Sequence, residues 1–150
     1  MKNVFDANDL KEIFDRIEKL SPNSQSIWGK MSVDQMLAHV NVAYEMAFQE
    51  TPPKSNFIKK FLLKKLIKPM IVSEKPYKKN SPTSSAFKIS KPHEFAFEKQ
   101  RLIDFMLKTL EKGPAYFEGK ESASFGKLTS KEWNNLFYKH LDHHLQQFGV

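Results

Sequence analysis

Thr129-Ser-Lys-Glu-Trp133-Asn-Asn-Leu-Phe-Tyr-Lys-His140-Leu-Asp-His-His144-Leu-Gln-Gln147-Phe-Gly-Val150 ends the chain and carries three of its five histidines. At about 100° per residue, His140 and His144 share a stripe with Trp133, Leu136, Phe137, Gln147 and Phe148, and His143 sits at its edge. The opposite face holds Asn134, Asn135, Lys139, Asp142 and Gln146. The start is marked twice, by a Thr129/Glu132 capping box and a Leu128/Trp133 hydrophobic staple. This predicts a helix over 129–148. Its apolar stripe should enter the core, so two imidazoles one turn apart would point inward. Each ring nitrogen then needs a partner, either a hydrogen-bonding group or a metal ion.

Three further helices follow from the same reasoning. Met31 to Met36 repeats the pattern, with Ser32/Gln35 as box and Met31/Met36 as staple, and predicts a helix over 32–49. Its inner face gathers Met36, His39, Val42, Ala43 and Met46, so His39 also points inward. Leu10, Ile13, Phe14 and Ile17 recur at helical spacing over 8–20, before Ser21-Pro22. A third long helix is expected over 92–112, with Pro92 in its first turn and Gly113-Pro114 as its stop. Four long helices and no strand predict an all-α four-helix bundle in one domain, 1–150. A crossover of about 51–92 holds six of the eight prolines. A short helix is expected there over Phe57–Ile67, with irregular chain over 75–90.

Composition narrows the function classes. At 150 residues, 40% of them hydrophobic and thirteen of them Phe, the chain can bury a sizeable core. It has no cysteine, which excludes disulfides, thiolate-ligated metal and a cysteine nucleophile, leaving His, Asp and Glu as possible ligands. No uncharged stretch approaches the roughly 20 residues that span a bilayer. A soluble, cytoplasmic protein without membrane contact is the expectation. The net charge of +7 is concentrated in Lys54 to Lys91, where eleven lysines face the single acid Glu74. Phe57, Phe61, Tyr77 and Phe87 among these lysines could stack on bases. No nucleic-acid motif accompanies them, so a solvated loop is expected instead.

The His140/His144 spacing lets two imidazoles grip one ion, with His39 as a third ligand and a coordination position left open. The same residues also suit a core of hydrogen-bonded histidines. The zinc-protease motif fails, because Leu141 stands where a general-base glutamate would be. His143 is a lower-ranked ligand or a neighbour supporting the ligands. Gln147, on the same stripe, is expected to orient one of them. His93, at a helix start, is expected to be exposed. No catalytic side chain is identifiable.

The inward His39 and the run Phe125-Gly126-Lys127-Leu128-Thr129…Trp133…His140-Leu-Asp-His-His144-Leu-Gln-Gln-Phe-Gly149 resemble the DinB/YfiT-like superfamily of metalloenzymes. More narrowly, they resemble a domain-of-unknown-function branch of it. Trp28, Met36-Leu-Ala-His39 and Lys75-Pro-Tyr-Lys-Lys-Asn80 extend the likeness over nearly the whole chain, and Ser122-Ala-Ser124 departs from it. The resemblance implies a four-helix bundle, often dimeric. It also implies a divalent metal, zinc or nickel, on His39, His140 and His144, and in some relatives an external low-molecular-weight thiol.

Two functions follow as expectations. One is a metal-dependent enzyme acting on a small molecule, a hydrolase or thiol transferase, in which the ion activates a water or a thiol. The other is a non-enzymatic helical interaction protein with core histidines, whose basic crossover meets an acidic partner. The crossover lysines would repel a cation, so this segment is expected to be dispensable for metal binding.

Overall fold

A computed structural model of the protein describes residues 1–49 and 61–150. The described residues are mostly helical, at 60% helix. Helix α1 spans Ala7–Glu18, and its N-cap Asp6 accepts hydrogen bonds from Asn8 N–H and Asp9 N–H at 2.9 and 3.1 Å. Its buried face is Leu10, Ile13 and Ile17, three of the four positions the spacing predicts, and Phe14 is half-buried. Helix α2 spans Val33–Phe48, and Ser32 N–H donates to Gln35 Oε1 at 3.2 Å.

The inner face of α2 is wider than its sequence suggests. Leu37, Val40, Asn41, Tyr44 and Ala47 are buried as well as Met36, His39 and Ala43, whereas Val42 and Met46 are only half-buried. The helix packs on two long partners at once, which leaves little of its circumference for water.

The segment 61–72 reaches from a π-helical turn at Leu63–Ile67 into the short helix α3, Lys68–Val72. Residues 57–60 of the short helix expected over 57–67 lie outside the described residues. A 3-10 turn at Ser85–Phe87 interrupts the stretch expected to be irregular.

Helix α4 spans Phe95–Phe117. Pro92 does not open it. Glu94 is the N-cap, accepting from Ala96 N–H and Phe97 N–H, while His93 N–H donates to Asp34 Oδ2 at 2.7 Å. Gly113 breaks the helix where the sequence predicts a stop. Its φ of +66° is open to glycine, and Pro114 begins one further turn.

Strands β1, Glu121–Ser122, and β2, Gly126–Lys127, pair antiparallel and correct the expectation of an entirely helical chain. Ser122 Oγ accepts from Ser124 N–H and Phe125 N–H at 3.3 and 3.2 Å, closing the connection between them. Ser122-Ala-Ser124 therefore runs from the end of β1 into the hairpin turn.

Helix α5 spans Ser130–Gln147, capped reciprocally by Thr129 N–H to Glu132 Oε2 at 2.9 Å and Glu132 N–H to Thr129 Oγ1 at 3.2 Å. Helix α2 packs on α4 and α5, α4 also packs on α5 and α1, and α3 lies against α5. Aromatic stacking fills the junction, with Tyr44 and Phe137 nearly parallel at 4.5 Å between centroids. Truncating Phe137 to Ala would cost roughly 3–5 kcal/mol.

The face of α5 opposite the histidines is not all solvated. Asn135 and Lys139 are buried because α3 ends against them. Asn135 Nδ2 donates to Val72 O at 2.7 Å. Lys139 Nζ donates to Met70, Ile71 and Ser73 carbonyls at 2.8, 3.1 and 2.6 Å. These carbonyls have no partner within a helix that stops here, so the two side chains serve as its C-terminal cap. Asp142 is also engaged, accepting from Arg16 Nη1 at 2.7 Å and tying α1 to α5.

Candidate metal centre

Helix α2 brings His39 to the side of α5 that presents His140 and His144. The rings form a near-equilateral triangle, with centroids 4.8 Å apart for His39–His140, 4.6 Å for His39–His144 and 4.9 Å for His140–His144. His39 and His144 are buried and His140 is half-buried. One ligand-capable nitrogen from each ring lies within 4.8 Å of the other two.

The hydrogen bonds fix which nitrogen carries the proton. His39 Nδ1 lies 2.8 Å from the Phe87 carbonyl, which can only accept, so Nδ1 is protonated and Nε2 is bare in the neutral ring. His144 Nδ1 lies 2.8 Å from Gln147 Oε1, and Gln147 Nε2 donates to Trp28 O at 2.7 Å. The Trp28 carbonyl thus sets the amide's orientation, and His144 also keeps its Nε2 free. His140 Nε2 is 2.9 Å from His39 Nε2, so in this arrangement His140 supplies the proton between them.

Burial keeps all three rings neutral. Desolvation is the main cause in each case. It lowers the His39 pKa, takes His140 well below the usual imidazole value and takes His144 down to about 3. Mutual repulsion among the positively charged forms adds to it for His140 and His144.

A tetrahedral zinc with Zn–N bonds of about 2.0–2.1 Å has ligand nitrogens roughly 3.4 Å apart, within the spread seen here. Three neutral imidazoles with no carboxylate suit a borderline ion such as zinc or nickel better than magnesium or calcium. The residues present therefore fit a divalent metal.

The remaining expected residues fall around this triangle. Gln147 contacts His144 directly. His143 stands beside the group, with its ring 5.1 Å from His144, 5.8 Å from Trp28 and 5.9 Å from Tyr77. It also lines a cleft of about 210 Å³ with Glu74, Tyr77, Tyr138 and Asp142. His93 is exposed and apart from the triangle, with Nδ1 3.0 Å from Glu98 Oε1.

Sequence reasoning missed the main-chain groups that orient the rings. The crossover, expected to be dispensable, supplies the Phe87 carbonyl to His39. Its Tyr77 also faces His143, and Lys79 Nζ sits 4.1 Å over the Trp28 ring. No residue-type signal could have pointed to the Phe87 and Trp28 carbonyls, since every residue carries one.

A family model described as "Protein of unknown function (DUF1569)" matches residues 2–149. No curated protein and no solved structure matches the chain.

Proposed function

Because the chain belongs to the DUF1569 family, whose description names no chemistry, we propose, from the site together with the resemblance of its histidine-bearing sequence, that it is a metal-dependent enzyme of the DinB/YfiT-like type, with His39, His140 and His144 as ligands of one zinc or nickel ion. The observation that carries this reading is the convergence of three buried or half-buried imidazoles, from two helices far apart in sequence, with ligand atoms within 4.8 Å. The associated fold is a four-helix bundle of α1, α2, α4 and α5, acting as a cytoplasmic homodimer.

Bound there, a divalent ion would acidify a water or an external thiol and so supply the nucleophile that a chain without cysteine lacks. The chain's own contribution is orientation and exclusion of water. The Phe87 carbonyl and Gln147 hold two rings with Nε2 facing inward, and the Phe87 ring packs edge-on against both His39 and His140, 5.6 and 5.8 Å away. Whether the reaction is hydrolysis or thiol transfer depends on the small molecule it acts on.

Elemental analysis of protein purified without an affinity tag or chelator tests the reading. Close to one zinc or nickel per chain, lost in His39→Ala, supports it. Wild-type protein that takes up neither ion when offered both refutes it.

A second reading, an interaction protein without catalysis, is favoured by one feature. Phe61, Leu62, Leu66 and Met70 are about half exposed or more, beside the exposed Lys64 and Lys65. An acidic partner with an apolar face would suit this surface. Salt-sensitive binding of such a partner by metal-free protein would favour it over the enzyme.

A further inference from the structure

We propose that Gly29 and Gln147 are positioning residues of this metal site: with the Trp28 carbonyl they form a clamp that holds His144 in the tautomer with a bare Nε2 and aims that nitrogen at His39 and His140. This rests on the metal-site reading, but it makes a claim about His144 that can be tested without metal.

Gln147 lies three residues beyond His144, in the last turn of α5, and is 3% exposed. Its two amide atoms are committed in opposite directions, Oε1 to His144 Nδ1 at 2.8 Å and Nε2 to the Trp28 carbonyl at 2.7 Å. Reversing the amide would set two carbonyl-type oxygens against each other and two N–H groups against each other, so only one orientation satisfies both ends.

The loop that provides the carbonyl is fastened to the same helix end. Ile27 N–H donates to the Gln147 backbone carbonyl at 2.7 Å. Gly29 then closes the clamp. Its φ of +83° disfavours any side chain, and a Cβ at this position would stand 2.5 Å from Gln147 Nε2. A methyl group there must displace the amide from its carbonyl or the loop from the helix. Either movement loosens the acceptor on His144 Nδ1.

His39 does not share this dependence, because its orienting group is the Phe87 main-chain carbonyl. His144 is the ring whose direction depends on a side chain and on a glycine more than 100 residues away. Groups that hold a ligand's second nitrogen typically change metal affinity by about 10- to 100-fold when removed.

Side-chain ¹H–¹⁵N spectra of the metal-free full chain should show His144 in its Nδ1–H tautomer. Gln147→Met, which lacks the amide oxygen, should lose it, and Gln147→Glu, which keeps an acceptor for His144 Nδ1 although it can no longer donate to the Trp28 carbonyl, should retain the tautomer. Zinc titrated into the same proteins by calorimetry should bind about 10- to 100-fold more weakly to Gln147→Met. Gly29→Ala should weaken zinc binding in the native background and add little in the Gln147→Met background, because its effect passes through that amide.

Unchanged tautomer and affinity in Gln147→Met would overturn the clamp, as would a full, additive Gly29→Ala effect in both backgrounds. If Gly29→Ala does not fold, the two Gln147 variants decide the matter. If wild-type protein binds neither zinc nor nickel, the metal reading fails while the metal-free spectra still judge the clamp.

Discussion

Acidifying the metal-free protein should destabilise it by an amount set largely by the histidine triangle. The His144 pKa is held at about 3 by desolvation and by the neighbouring His39, whereas an unfolded chain restores it to about 6.5. The unfolded state therefore binds the extra proton first, and stability falls as pH drops below about 6.5, levelling off only near the folded value. At about 1.36 kcal/mol per pH unit, His144 alone removes about 2 kcal/mol between pH 6.5 and pH 5. The full loss by pH 3 is about 5 kcal/mol, comparable to the entire stability of many domains. His39 and His140 are shifted in the same direction and add to it. Urea titrations of wild type and His144→Leu at pH 7.5 and 5.0, with chelator present, would measure this. The wild type should lose about 2 kcal/mol more than the variant over that interval. Equal losses would refute the reasoning, since they would mean that His144 is as easily protonated in the fold as outside it. Excess zinc should add stability at pH 7.5, where the rings are neutral, and less as protons compete.

Replacing His39, His140 or His144 with Ala should each weaken zinc binding by two orders of magnitude or more, measured by competition with a chromophoric chelator, whereas His93→Ala should not change it. His143→Ala should have the smaller effect; if it abolishes binding while His144→Ala does not, the ligand assignment is off by one residue. Lys139→Met keeps the aliphatic stem but removes the ammonium from the Met70, Ile71 and Ser73 carbonyls, leaving Met70 and Ile71 only the longer bonds from Ser73 Oγ and the Tyr77 hydroxyl at 3.3 Å, so it should cost about 1–3 kcal/mol in urea denaturation. A change below 0.5 kcal/mol would show that water replaces the ammonium there. Reversing the charges of Lys59, Lys60, Lys64 and Lys65 together should leave the zinc stoichiometry unchanged, because among the described crossover residues it is Phe87, through its carbonyl and its ring, that meets the triangle. Loss of metal in a folded variant would show that these lysines help to build the site.

The local pattern of the chain determined its long helices, the capping boxes of α2 and α5 and the inward placement of His39, His140 and His144. Helical periodicity is a property of neighbours three and four residues apart, so Leu10, Ile13 and Ile17, or His140 and His144, can be placed on a face without knowing what that face meets. The Thr129/Glu132 box and the break at Gly113 are local for the same reason. What lay outside that range was decided by packing. A helical wheel marks Asn135 and Lys139 as solvent-facing, yet both are buried, because α3 ends against α5 with carbonyls that need donors. The faces of α2 multiplied because two helices reach it. The convergence of His39 with His140 and His144 spans about a hundred residues of chain, and the groups that set their protons are the carbonyls of Phe87 and Trp28 and the space left by a glycine. A main-chain carbonyl is the same at every position, so only its location in three dimensions can make it a partner.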